Sequence, residues 1–239
     1  FQAEDGIRDS VASRGLGDVY KRQLLIDAGL KRINVSLDTL DANRFRAIAR
    51  SGDLATVLRG IELMLDANIK VKVNMVPMRT ANAEQVIPML EYCLERGIEL
   101  RFIELMNMGH LKHNAGYTRD FIGMDELLDA ISTRYEFVRT AAAYDSTSIR
   151  YEIPGQGHFG IIANESEPFC STCTRLRLSS NGFLYGCLSN TESHDIRRLL
   201  RQPFHLALNA LQEILRKALA DKQNLAFSGE VTVMKFIGG

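Results

Sequence analysis

Three cysteines carry the most chemically specific pattern in this sequence. Cys170 and Cys173 stand with two residues between them in Phe169-Cys170-Ser171-Thr172-Cys173-Thr174-Arg175-Leu176-Arg177-Leu178, and Cys187 follows after thirteen more. Thiolates are soft anionic metal ligands. The guanidinium forks of Arg175 and Arg177, directly behind the pair, can grip phosphate or carboxylate oxygens bidentately. Together they read as a metal centre beside an anionic substrate. A closed zinc site wants four protein ligands, and no fourth is obvious: His158, His194 and His205 fall outside any ligand spacing, and Cys93 belongs to a helix-like segment. Three thiolates with an open position suit an iron–sulfur cluster that can bind a small molecule. Spacing leaves a structural zinc completed by a remote His open as the competing reading.

Two further cations stand in strand-like segments. Lys72 lies on the polar face of Lys70–Val76, and Arg101 is near the start of Glu99–Met106. Central strands of a parallel sheet are normally covered on both faces, so charges there need a reason. An anionic ligand is one; a salt bridge at a strand end is the plainer one.

The elements that must position these residues follow a βα rhythm. Leu24–Ala28 reads as a helix end closed by Gly29. Ile33–Leu37 reads as a buried strand. Asp53 is placed to cap a helix with Leu54, Val57, Leu58, Ile61, Met64 and Leu65 inward. Lys70–Val76 alternates, with Val71, Val73 and Met75 on one face. Asn82 and Gln85 resemble a capping box for a helix with Val86, Met89, Leu90 and Cys93 inward, weakened by Pro88 and ended by Gly97. Glu99–Met106 reads as a third strand. Short connections between such units make right-handed βαβ crossovers and a parallel sheet, open or barrel-like, with ligands at the C-terminal strand ends.

After Met106 the pattern changes. Asn107–Gly123 reads as loop, Met124–Arg134 as a short helix, and Tyr135–Arg139, Ser148–Ile153 and His158–Ala163 as strand-like pieces. Leu176–Ser179 and Phe183–Cys187 flank Asn181-Gly182, a strong hairpin signal that folds Cys187 back beside Cys173. Pro203 opens a long helix with Ala207, Leu208, Leu211, Ile214, Leu215, Ala218 and Leu219 inward.

Composition excludes some classes. The chain has 239 residues, 29 basic and 29 acidic, so it lacks the basic excess that drives bulk nucleic-acid or acidic-membrane binding. No apolar run approaches the ~20 residues that span a bilayer. Cysteines at ligand spacing without an export signal fit a reducing cytoplasm. Residues 1–23 show no sustained period and resemble translated sequencing-adapter sequence. They are expected to be a non-native, disordered leader on a chain cut at its N-terminal side.

The segments NVSLDTLD, VKVN, RFIELM, FCSTCTRLRLSSNG, YGCL and the terminal IGG, in order from about Leu24 to Gly239, resemble the GTP 3',8-cyclases of molybdenum-cofactor biosynthesis, a radical S-adenosylmethionine family. The resemblance implies an α/β fold: a partial βα barrel, expected over 24–140, and a C-terminal α+β extension over 141–239. It implies a 4Fe–4S cluster on Cys170, Cys173 and Cys187 whose open iron engages the purine of GTP. It assigns Lys72, Arg101, Arg175, Leu176 and Arg177 to GTP, Ser36 and Met106 to S-adenosylmethionine, and Gly238-Gly239 to a tail that reaches the active site. It also implies a cytoplasmic parent, for which a homodimer is one expected form.

The family's first cluster needs a Cys-x3-Cys-x2-Cys motif, and this sequence contains none. In the family that cluster generates the 5'-deoxyadenosyl radical, which removes the ribose 3' hydrogen of GTP before the carbon radical closes on purine C8. The chain by itself is therefore expected to be inactive, with an exposed apolar sheet edge that lowers its solubility. Two other readings stand beside this one: a zinc-bearing nucleotide-binding module, and a radical enzyme with an auxiliary cluster and a different substrate.

Overall fold

The computed structural model describes residues 24, 26–108, 111, 115–141, 146–188 and 192–222. The leader and the terminal diglycine lie outside them. The chain forms two compact units. The first takes the described residues through Leu105 with Arg119–Ala143 and Thr147–Ser166; the second takes those of 106–118 and 144–146 and those from Glu167 on.

The first unit is a mixed α/β layer built on a six-stranded sheet: β1 (Arg32–Ser36), β2 (Lys70–Met75), β3 (Glu99–Ile103), β4 (Val138–Thr140), β5 (Ile149–Ile153) and β6 (Gly157–Ile162), in the order β1-β2-β3-β6-β5-β4. β1, β2, β3 and β6 run parallel, while β5 and β4 continue antiparallel. The crossovers carry helices α1 (Ala42–Ala49), α2 (Leu54–Asp66) and α3 (Val86–Glu95), and α5 (Met124–Ser132) follows β3.

Alternation sorts the strands into two faces. Ile33, Val35, Val71, Val73, Met75, Leu100, Phe102, Phe159 and Ile161 share one core with Val57, Ile61 and Met64 of α2, Met89, Leu90 and Cys93 of α3, and Leu127 and Ile131 of α5. That burial is the main stabilising term of the unit, on the order of 2 kcal/mol per fully buried large aliphatic side chain. Asp53 caps α2 by accepting the Thr56 N–H at 2.9 Å, which satisfies one of the helix's unpaired first-turn donors.

Several expectations change here. β5 and β6 belong to the same sheet as β1–β3, so the unit extends to Ser166 and does not divide at 140. A helix unforeseen from the pattern, α1, follows Asp41, whose side chain accepts the Arg44 N–H. Asn82 makes no capping bond; its amide donates to the Asp38 and Val76 carbonyls, and its oxygen accepts the Met78 N–H. Gln85 accepts instead from Leu40 N–H and Thr39 Oγ1. A 3-10 turn, Ala83–Gln85, therefore precedes α3, which leaves Pro88 in the first turn where a missing N–H costs little. The expected loop after Met106 contains a six-residue helix, α4 (Ala115–Asp120).

The second unit holds a three-stranded antiparallel sheet, β7 (Arg177–Leu178), β8 (Phe183–Tyr185) and β9 (His194–Asp195), and the long helix α6 (Phe204–Ala220). Its core joins Leu184, Ile196 and Ala218 with Leu176, Ile214 and Leu215. Leu219, expected inward, is 46% exposed. Among the described residues no helix is long and apolar enough to cross a membrane.

Candidate functional site

In the second unit the cysteines are set by two short elements. Cys170 opens a 3-10 turn, Cys170–Thr172, and Cys173 closes it, its N–H donating to the Cys170 carbonyl at 3.3 Å. Cys187 comes from the hairpin. Arg177 pairs with Tyr185 and Leu178 with Leu184, and Ser179 N–H donates to the Phe183 carbonyl at 2.9 Å. Between them Ser180, Asn181 and Gly182 make the turn, with Gly182 N–H donating to the Ser179 carbonyl and φ of +83° at Gly182. This is a three-residue loop closed by a left-handed glycine, one residue longer than a tight Asn-Gly turn. Carried outward, its register sets Cys187 opposite Arg175.

The thiols lie within electrostatic reach of one another. Burial pushes the Cys170 thiol up, and Cys187 and then Cys173 push it the same way. Burial also raises Cys173, but the Arg175 backbone N–H, the Lys222 ammonium and the Arg175 guanidinium outweigh it and hold that thiol below its ordinary value. Lys222 Nζ stands 3.5 Å and Arg175 Nη1 4.0 Å from Cys173 Sγ. A thiol favoured as thiolate is the form that binds metal. Among the described residues no three His, Cys, Asp or Glu side chains draw as close as the ligands of one metal ion do. An iron–sulfide cube spaces its thiolates more widely than a single ion, and three half-buried thiols on a turn and a hairpin fit it as a donor set. His194 is engaged elsewhere, at 2.6 Å from Asp221. Arg177 lies in β7, and Arg175, ahead of the strand, is exposed with its guanidinium 5.9 Å over the Phe169 ring.

In the first unit the sheet face turned away from the core is polar. Register places Asn34 beside Lys72 and Ser36 beside Asn74, then Lys72 beside Glu99 and Asn74 beside Arg101. Arg101 in turn pairs with Gly160, which pairs with Arg150. Arg101 is buried, 9% exposed, and its Nε donates to Asn74 Oδ1 at 2.9 Å. Lys72 pairs with Glu99 at 3.2 Å, and Arg150 meets the other oxygen of that carboxylate at 3.1 Å. Lys72 thus has an ion-pair partner on the neighbouring strand. Ser36 is exposed at the end of β1. Met106 belongs to the second unit, where it is half-buried and its carbonyl accepts the Met108 N–H.

Sequence reasoning missed Glu99 and Arg150, though both fall on the polar phase of alternating strands. It missed Lys222, for which no local pattern exists. It also missed Glu104, fully buried, whose carboxyl accepts from the backbone N–H groups of Met124, Glu165 and Ser166 and from the Ser166 hydroxyl. That side chain fastens the end of β3 to the start of α5 and the loop after β6.

Two family models match the chain: the Radical SAM superfamily over residues 18–93 and Molybdenum Cofactor Synthesis C over residues 98–227. Curated relatives match most of its length. The GTP 3',8-cyclase of Campylobacter fetus is 36% identical over 92% of this chain and 66% of its own. GTP 3',8-cyclase 1 of Pseudomonas aeruginosa is 36% identical over 97% of this chain and 72% of its own. The GTP 3',8-cyclase of Staphylococcus epidermidis is 38% identical over 82% of this chain and 59% of its own. The chain thus spans about two-thirds of the length of the relatives it matches.

Proposed function

Since this chain belongs to the GTP 3',8-cyclase family within the radical SAM superfamily, we propose that it serves the conversion of GTP to 3',8-cyclo-7,8-dihydro-GTP in molybdenum-cofactor biosynthesis. The parallel strands are read as part of a βα barrel whose polar face is the interior, and the second unit as the auxiliary-cluster region. The observation that supports the reading is that Cys170, Cys173 and Cys187, on a turn and a hairpin, lie within electrostatic reach of one another, with Arg175 and Lys222 beside Cys173.

A 4Fe–4S cluster on those three thiols would supply an iron with a vacant position, a Lewis acid for a purine nitrogen or oxygen. The chain's own groups bind and orient. Arg175 and Arg177, with the backbone at Leu176, are assigned to GTP. In the sheet unit Lys72 and Arg101 are assigned to its anionic oxygens. Their present partners explain how they wait: Glu99 holds Lys72 and Asn74 holds Arg101, so neither guanidinium nor ammonium must be ordered from a free rotamer when substrate arrives. Ser36 and Met106 are assigned to S-adenosylmethionine, and Gly238-Gly239, outside the described residues, to the active-site tail. The thiol ligands suit a reducing cytoplasm.

The four cysteines are Cys93, Cys170, Cys173 and Cys187, and Cys93 is fully buried in α3. None stands in a Cys-x3-Cys-x2-Cys motif, and the residues assigned above bind and orient substrate. The test is GTP binding by the iron- and sulfide-loaded chain with S-adenosylmethionine and a reductant present. Binding is expected, weakened roughly tenfold or more by Arg175→Ala or Arg177→Ala, and no 5'-deoxyadenosine forms. Binding indifferent to both substitutions, or turnover of S-adenosylmethionine, contradicts the assignment.

A further inference from the structure

Lys222 follows α6, far in sequence from the cysteines, yet three contacts fasten this end of the helix to the cysteine hairpin. Gly186, directly before Cys187, packs so tightly on the Ala218 carbonyl that a Cβ there would overlap it. His194 of β9 pairs with Asp221 at 2.6 Å. Lys222 Nζ donates to the Arg175 carbonyl and stands 3.5 Å from Cys173 Sγ. The brace has an electrostatic cost. It sets a carbonyl of the last turn of α6, the negative end of the helix dipole, beside a group of thiols that bind metal as anions.

We propose that Lys222 is a positioning residue of the cysteine site, donating an N–H···S hydrogen bond to the Cys173 thiolate and so favouring the more electron-rich state of a cluster held there. This rests on the cluster reading above. Hydrogen bonds to ligating sulfurs tune both potential and metal retention. Arg175 also approaches Cys173, but it is exposed and assigned to substrate. Lys222 is tied to the loop backbone, so its bond to sulfur persists whatever Arg175 does.

The experiment uses the full chain loaded anaerobically with ferrous iron and sulfide, comparing wild type, Lys222→Met and Lys222→Arg. The readouts are the midpoint potential followed by electron paramagnetic resonance and the rate of iron loss to a chelator. Lys222→Met is expected to shift the potential to more negative values and to lose iron several-fold faster, with Lys222→Arg restoring both. Should Lys222→Met fail to fold, Lys222→Gln, which keeps an N–H without the charge, gives the same comparison with a smaller shift. Equal potential and iron retention in wild type and Lys222→Met overturn the proposal and leave the cluster reading standing. A shift that Lys222→Arg does not reverse also overturns it. A wild-type chain without acid-labile sulfide overturns the cluster reading itself.

Discussion

Gly186 lies with its Cα directly against the backbone carbonyl of Ala218, leaving no room for a side chain between the cysteine hairpin and the last turn of α6. The obstacle is backbone, which cannot rotate away. Gly186→Ala should therefore cost the second unit about 1–3 kcal/mol, as overpacking does, and loosen iron binding through the neighbouring Cys187. Thermal denaturation and iron content measure the two effects. Gly160 offers the contrast. Its Cβ would meet chiefly the Ser148 hydroxyl, the movable end of a side chain, so Gly160→Ala in a Ser148→Ala background should be tolerated.

Glu104 gathers its partners from two separate stretches of chain. Replacing it with Ala would leave the N–H groups of Glu165 and Ser166 without this acceptor, and Met124 N–H with only the Ser166 hydroxyl at 3.3 Å. The fully buried Glu104 side chain would take several hydrogen bonds with it, and at roughly 1 kcal/mol for each the loss should be on the order of 3 kcal/mol, with Glu104→Gln recovering part of it. Denaturant titration with a probe on the sheet unit gives the figure; a change below about 1 kcal/mol would contradict this account.

Cys93 and the other cysteines should behave as two classes. Burial pushes the Cys93 thiol up from 9.0 to about 12, whereas Cys170, Cys173 and Cys187 are only half-buried. In the metal-free folded chain three thiols should react with a maleimide and the fourth only in denaturant. Burial likewise raises the Tyr92 hydroxyl from 10.0 to about 12. Both folded-state values lie above the unfolded ones, so their contribution to stability is intact below about pH 9 and is lost as pH rises toward 12. Cys93→Val should flatten that alkaline slope by about 1.4 kcal/mol per pH unit, the weight of one proton. An unchanged slope would show that Cys93 titrates freely in the folded chain.

The parts of the fold legible in the sequence were those with local periodicity. Lys70–Met75 alternates strictly, and α2 shows a full apolar stripe beneath Asp53, so both emerged with bounds close to those observed. Helix α1 escaped notice because Phe45 is its one buried residue, too little for a stripe. That β6 pairs with β3 is a nonlocal choice set by packing of Phe159 and Ile161 into the shared core, which no local pattern records. At the site, the cysteine spacing and hairpin turn were readable. Lys222 was not, because its role comes from where α6 ends in space, and Glu99 and Arg150 were passed over as ordinary strand charges until register set them on the same face as Lys72 and Arg101.

Iron and acid-labile sulfide in the anaerobically reconstituted chain test the central claim most directly, measured beside Cys187→Ala. The account predicts about four iron and four sulfide per chain, falling sharply when Cys187 is removed. Zinc without sulfide, or a full iron–sulfide content that survives Cys187→Ala, would contradict it.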